Sequence, residues 1–201
     1  MLKNIVNIIC MQIGWFACVL SMASGVPSFG VFIVAVLVVG QLLHSRRRND
    51  VLLVCVLGLA GAAIDTGLGA VGIVEVGNAP NLVLTYVWFA ALWANFATVL
   101  NRSLAWLRAP WLAFAFGALG GPPAYLGAEA LGALALPQSM TTTLLTLAAY
   151  WGVAMLVAVV AARRFSGEGL AATTESAGRD NGGPVGLGTT AMSNSRAGLG
   201  R

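Results

Sequence analysis

The chain has 201 residues, of which 58% are hydrophobic and only 9% are charged, and its net charge is +4. Soluble domains carry about a quarter charged residues, so this composition excludes an ordinary soluble protein and indicates a polytopic membrane protein. The basic residues lie at the ends of apolar runs and form no basic face with interleaved aromatic residues. We therefore expect no nucleic-acid partner.

Six apolar runs follow one another along the chain, each long enough to cross a bilayer as a helix. They cover residues 5–23, 27–43, 51–74, 82–100, 111–136 and 141–162. Helices are favoured because each segment must satisfy its own backbone polar groups in lipid. The sequence thus predicts an all-α fold, with a six-helix transmembrane bundle over residues 1–165. Residues 166–201 are rich in Gly, Ser, Thr, Ala and Asn, and we predict a disordered cytoplasmic tail there.

The placement of basic residues predicts the orientation of these helices. Lys and Arg occur before the first run, in alternate connections and after the sixth run, at Lys3, Arg46, Arg47, Arg48, Arg102, Arg108, Arg163 and Arg164. The positive-inside rule then places both termini in the cytoplasm. A cleaved signal peptide ending near Ala23 is the alternative for the first run. Asn7 and Gln12 are poor residues for a signal core, which favours a retained helix.

Asp65 is the most informative residue, because a carboxyl group at membrane depth needs a protein interior, a partner or a water-filled cavity. Gly58, Gly61, Gly69 and Gly72 share its helix face, so we expect that face to pack against another helix. The side chain has two open interpretations. It is either a structural group hydrogen-bonded to a neighbour, or a proton or ligand site.

The fifth run contains the segment Gly120, Gly121, Pro122 and Pro123. Two successive prolines remove two backbone donors, so we predict a broken or strongly bent helix. Such breaks often mark binding sites in transporters, although a packing kink is the commoner explanation. Tyr125 has about the same estimated membrane depth as Asp65 and is its predicted hydrogen-bond donor.

Three further polar residues complete the candidate intramembrane site. Glu129 lies one turn beyond Tyr125, where a carboxylate reaching the outer interface is the simpler interpretation. Asn7 and Asn95 both fall in the cytoplasmic half of their helices. We interpret these two amides as interhelical contacts that fix the bundle, with a binding role as the alternative.

The sequence offers little for metal or cofactor chemistry. Cys10, Cys18 and Cys55 form no C-x-x-C pair and lie in apolar runs, which is typical of small buried thiols. His44 is the single histidine and stands at the cytoplasmic boundary, as an interfacial anchor would. We therefore predict no metal and no cofactor.

The chain resembles a family of small bacterial inner-membrane proteins known as a domain of unknown function. The matching features lie between residues 4 and 152: Asn4, Asn7, Gly14, Trp15, Phe16, Gly61, Asp65, Trp88, Leu92, Trp93, Phe96, residues 103–107, Gly117, Ala118, Gly121, Pro122, Tyr125, residues 131–133 and Trp151. The resemblance implies a bacterial multi-pass inner-membrane protein of unknown molecular activity, for which an accessory role in the modification of membrane fatty acids is the suggested function. Membrane lipids and lipid-modifying enzymes are the partners that it implies.

Two alternative functions belong to other classes. The first is a small secondary transporter with a site near Asp65 and the break in the fifth helix. The second is an intramembrane lipid-modifying enzyme in which Asp65, Tyr125 and Glu129 act as acid or base groups. A transporter is expected to show a water-accessible path and an internal repeat, but no convincing repeat is visible in the sequence. An enzyme is expected to open laterally to lipid beside these residues.

Overall fold

The computed structural model describes residues 2–107 and 109–166, which fold into six α-helices. These are α1 (Leu2–Ala23), α2 (Pro27–Ser45), α3 (Arg48–Ala70), α4 (Leu82–Leu100), α5 (Pro110–Ala130) and α6 (Met140–Ser166). The all-α prediction is confirmed over this part of the chain. Arg108 and residues 167–201, which include nearly all of the predicted tail, lie outside the described residues.

Five of the described helices, α1 to α4 and α6, are long and apolar enough to cross a membrane. This is the composition of a multi-pass membrane protein. Helix α5 does not reach the same hydropathy, because glycines, two prolines, a tyrosine and a glutamate dilute its apolar residues. It nevertheless belongs to the bundle and packs extensively against α6.

Helix α5 is continuous through Pro122 and Pro123, so a break into two half-helices is wrong, whereas a strong bend at this segment stays a prediction. Neither proline has a backbone N–H, so neither can donate a hydrogen bond to a carbonyl of the preceding turn. Close packing on α6 accounts for the continuous helix. A side chain at Gly117 would meet the Trp151 backbone, and a side chain at Gly121 would overlap the Trp151 ring.

Helices α3 and α5 end earlier than the hydrophobic runs predict, at Ala70 and Ala130. The reason is a glycine two residues beyond each helix, because Gly72 has a φ of 70° and Gly132 a φ of 81°. Only glycine adopts this left-handed conformation without strain. Both helices close with the same hydrogen-bond pattern, in which three successive amides beyond the helix bond back to its last turn.

The helices form three antiparallel hairpins, α1–α2, α3–α4 and α5–α6, and α4 packs against α1, α2, α3 and α6. The chain segments that carry Lys and Arg meet at one end of the bundle, where the Asn49 side chain donates to the Phe165 carbonyl. The connections without Lys or Arg meet at the other end, where Gln138 donates to the Gly72 carbonyl at 3.0 Å. We call the first the basic end.

Apolar side chains cover the outside of the bundle, as lipid contact requires. Phe29 is 62% exposed, Phe32 is 65% exposed and Leu119 is 78% exposed. The interior is mostly apolar too, but it also holds buried polar side chains, among them Asp65 and Asn95, which are only 3% and 1% exposed. These buried polar groups define where function is to be sought.

Candidate functional site

Asp65 lies at the centre of the bundle, where three side chains from three different helices donate hydrogen bonds to it. Trp93 Nε1 on α4 donates to Oδ2, and the hydroxyls of Tyr125 on α5 and Tyr150 on α6 both donate to Oδ1. All three distances are 2.7 Å. The hydrogen bond from Tyr125, expected from membrane depth, is therefore present, and one carboxyl group joins the second and third hairpins.

Two small residues allow this convergence. Gly61 lies one turn before Asp65, and a side chain at that position would overlap the Trp93 ring. Gly58 lies against the Ala90 carbonyl and the Ala94 side chain of α4. These glycines let α3 approach α4 closely, so that Trp93 reaches the carboxyl group.

The expected packing face of α3 is thus confirmed at Gly58, Gly61 and Asp65, and it is shorter than predicted. Gly69 is exposed, and Gly72 lies beyond the end of the helix. The last turn of α3 therefore does not belong to this interface. Gly72 instead serves the turn that ends the helix.

Two stacked tryptophan rings lie beside the carboxyl group. The rings of Trp93 and Trp151 are 5.0 Å apart between centroids and tilted by only 3°. Phe96, Tyr125 and Tyr150 meet the Trp151 ring edge to face, at 5.8, 6.3 and 5.7 Å. Such aromatic pairs contribute about 0.5–1.5 kcal/mol each beyond their buried area, so this cluster stabilises the packing of α4, α5 and α6.

Asp65 lies in the wall of a cavity of about 460 Å³ between α1, α3, α4, α5 and α6. Its aromatic lining residues are Trp15, Trp88, Phe89, Trp93, Phe96, Phe116, Tyr125 and Trp151. None of its described lining residues is Lys, Arg or His. The volume suits a small organic molecule, and the chemistry of the wall is aromatic with one acidic group.

Two other polar atoms in the cavity wall have no partner among the described residues, namely Asn95 Oδ1 and Trp151 Nε1. The amide nitrogen of Asn95 is engaged, since it donates to the Met11 carbonyl at 2.7 Å. Buried polar atoms without partners are rare in proteins and call for an explanation. Both atoms are almost completely buried, and the Asn95 amide lies against Gly14 of α1, so they are polar features of the wall and not open contacts for a ligand.

The second and third hairpins repeat the same arrangement, a relation that the sequence analysis did not identify. Gly61, Asp65 and Gly72 on the first helix of one hairpin match Gly121, Tyr125 and Gly132 on the other, with the same intervals. In α4 and α6, residues 90–93 read Ala-Ala-Leu-Trp and residues 148–151 read Ala-Ala-Tyr-Trp.

The structure pairs the equivalent positions of these two hairpins. Asp65 accepts from Tyr125, and Trp93 stacks on Trp151. Glu75 and Ala135, which are also equivalent, form an antiparallel β-bridge beyond the ends of α3 and α5. The site therefore lies between two structural repeats.

The remaining predicted site residues lie elsewhere. Asn7, 3% exposed, donates to Gln41 and to the Thr98 carbonyl and accepts from Ser103, so it connects α1, α2 and α4 near the basic end. Glu129 accepts from the Leu136 backbone amide at 2.9 Å in the turn after α5. Neither residue contacts Asp65 in the described structure. Nothing in the sequence around Asp65 indicates that Trp93, Tyr150 and Trp151 belong to the site. The Ala-Ala-x-Trp motif, which occurs in both α4 and α6, is the signal that could have identified them.

Comparison with known proteins identifies a family without identifying an activity. A family model described as a protein of unknown function (DUF2878) matches residues 4–157. Since the match covers most of the chain, the chain belongs to this family, and the expected resemblance is confirmed. No curated protein and no solved structure matches it.

Proposed function

We propose that this family member is a membrane-embedded transport protein that binds a small lipophilic organic cation at Asp65. The observation that carries the proposal is a buried carboxyl group in the wall of an aromatic cavity of about 460 Å³, with no basic side chain among the described lining residues. A ligand of the ammonium class supplies the positive charge that this wall lacks.

The hydrogen bonds of Asp65 leave room for such a ligand. A carboxylate has about four lone-pair positions, and the three donors occupy two at Oδ1 and one at Oδ2. One position at Oδ2 remains for a cation. The donors also fix the carboxyl group in place, so that the ligand does not have to order it on binding.

The aromatic rings suit the same ligand class. A cation over the face of a tryptophan or phenylalanine is attracted by about 0.5–2 kcal/mol per ring, and more strongly when water is excluded. Trp15, Trp88 and Phe116 belong to the cavity wall together with the stacked pair Trp93 and Trp151. The apolar part of the ligand also binds favourably, because the same rings bury its surface away from water.

The internal repeat supports transport over simple binding. Many transporters are built from repeats with the substrate site at the repeat interface, which is where Asp65 and Tyr125 meet. We further propose six membrane spans in a bacterial inner membrane with both termini in the cytoplasm. The charge alternation of the sequence and the clustering of the basic segments at one end of the bundle support this orientation.

The geometry around Asp65 supports acid–base catalysis less well than it supports cation binding. Glu129, the second carboxyl group proposed for it, accepts a backbone hydrogen bond in the turn after α5 and does not contact Asp65. The lipid-modification role rests on the family resemblance and stays a prediction.

A binding experiment tests the proposal. Purified protein in detergent is titrated with benzyltrimethylammonium and with neopentylbenzene, its neutral isostere, while tryptophan fluorescence and calorimetry are recorded. We expect the cation to bind more tightly than the isostere, and Asp65→Asn to weaken cation binding at least about tenfold. The control variant is Glu75→Gln, because Glu75 is an exposed carboxylate outside the cavity.

Two results would overturn the proposed ligand class, namely equal binding of cation and isostere or unchanged binding by a folded Asp65→Asn variant. Uptake of radiolabelled cation into proteoliposomes then separates transport from binding alone. An altered acyl-chain profile in a deletion strain, without cation binding, would favour the lipid-modification role instead.

A further inference from the structure

A second cavity, which we call the basic cleft, lies between α1 and α2 at the basic end of the bundle. Its volume is about 810 Å³, larger than that of the Asp65 cavity. It shares none of its lining residues with the Asp65 cavity. The cleft is therefore a separate feature of the molecule.

The charges around the basic cleft are mainly positive. Lys3, Arg47 and Arg102 line it, and Asp50 is the single acidic lining residue. Asp50 Oδ1 already accepts from the Asn101 side chain at 2.9 Å. Among the described residues, the three basic groups therefore exceed the acidic one, and the cleft attracts an anion.

The polar floor of the cleft is preorganised around Gln41. The Gln41 carbonyl accepts from Arg102 Nη2 at 3.0 Å, which holds the guanidinium group at the cleft. The Gln41 side-chain oxygen accepts from Asn7, which leaves its amide nitrogen to donate. That nitrogen is buried and has no partner in the described structure. The Arg102 guanidinium is thus held at the cleft, where its remaining N–H groups can donate to a ligand.

The rest of the cleft is apolar. Val6 and Cys10 of α1 and Val36 and Leu37 of α2 form walls that lead away from the basic end. An inorganic anion makes no favourable contact with apolar walls, whereas an acyl chain is stabilised when it is buried against them. Basic pockets between membrane helices on the cytoplasmic side are typical binding sites for anionic lipid headgroups.

We propose that the basic cleft binds an anionic phospholipid, with its phosphate at Arg47 and Arg102 and an acyl chain along α1 and α2. A bidentate guanidinium contact with phosphate oxygens accounts for the choice of Arg102. The apolar walls select a lipid over free phosphate, and the positive charge selects an anionic lipid over a zwitterionic one.

The test uses full-length protein that has been stripped of lipid in a mild detergent. Thermal unfolding is followed by tryptophan fluorescence with added dioleoylphosphatidylglycerol, dioleoylphosphatidylcholine or inorganic phosphate. We expect phosphatidylglycerol at saturation to raise the Tm by about 5 °C, and the other two additives to have less effect. Arg47→Gln and Arg102→Gln are each expected to weaken the response about fivefold.

The matched control is Arg46→Gln, which removes the same charge from the neighbouring position without touching the lining of the cleft. We expect it to retain the response to phosphatidylglycerol. If Arg102→Gln does not fold, Arg47→Gln decides, since Arg47 is exposed at the start of α3. An equal response to phosphatidylcholine or phosphate, or an equal loss in Arg46→Gln, would overturn the proposal.

Discussion

Replacing Asp65 with leucine separates the structural contribution of the carboxyl group from any ligand it binds. Leucine is similar in size but accepts no hydrogen bonds. Trp93 Nε1 and the hydroxyls of Tyr125 and Tyr150, each now 2.7 Å from a carboxyl oxygen, would all lose their acceptor. Trp93 and Tyr125 are only 4% and 6% exposed, so water cannot easily replace the lost acceptor.

The expected cost follows from the number and burial of these donors. An unsatisfied buried donor costs about 1–3 kcal/mol. Tyr150 is only half-buried, and the Tyr125 hydroxyl can rotate toward the cavity, which reduces the sum. Hydrogen bonds between membrane helices are also weaker on average than this range. We therefore expect Asp65→Leu to lower the free energy of unfolding by about 2–5 kcal/mol.

The assay is reversible unfolding in sodium dodecyl sulfate, followed by tryptophan fluorescence and circular dichroism. Glu75→Leu is the control, because Glu75 is exposed and a surface substitution of this kind changes stability by no more than about 0.5 kcal/mol. If Asp65→Leu unfolds at the same detergent fraction as the wild type, the three hydrogen bonds do not hold the second and third hairpins together, and the reasoning from the site geometry is refuted.

Three other outcomes are expected. Asp65→Asn should fall between the wild type and Asp65→Leu in the same assay, because an amide oxygen keeps both tyrosine donors while its NH₂ group faces Trp93 and costs about 1–3 kcal/mol. Gly121→Ala should destabilise by about 1–3 kcal/mol because its methyl group overlaps the Trp151 ring, whereas Gly120→Ala meets nothing within 4 Å and should be neutral or stabilising. Reporter fusions after Arg48 and Arg164 should indicate cytoplasm and fusions at Asn78 and Gln138 should indicate periplasm; a reversed signal at any one contradicts the proposed orientation.

Most of the fold could be predicted from hydrophobic run length alone. The fourth helix has the predicted bounds, and the other helices differ from prediction by a few residues at their ends. The largest difference is the early end of α5, and α3 also ends early; in both, apolar residues continue past a glycine that stops the helix. A hydrophobic run records which residues avoid water, while a helix end depends on backbone conformation at Gly72 and Gly132.

The site could be predicted only in part, because its partners come from distant positions in the sequence. Asp65 is conspicuous by itself, and Tyr125 follows from its estimated depth. Trp93 and Tyr150 are two more aromatic residues in apolar helices, and nothing local distinguishes them from core residues. The continuous course of α5 through two prolines was also missed, since local rules do not include the support of α6 against Gly117 and Gly121.

The two repeats explain how a carboxyl group is tolerated at the centre of this bundle. If both equivalent positions carried aspartate, two like charges would face each other inside the membrane, and Asp65 would lose one of its three donors. With tyrosine at position 125, the repeat that lacks the acid supplies a donor to the repeat that has it. The stacked tryptophans are the symmetric part of the same arrangement, because each lies over the glycine of its own hairpin. The common scaffold therefore provides the close packing, and the difference between the repeats at positions 65 and 125 provides the chemistry of the site.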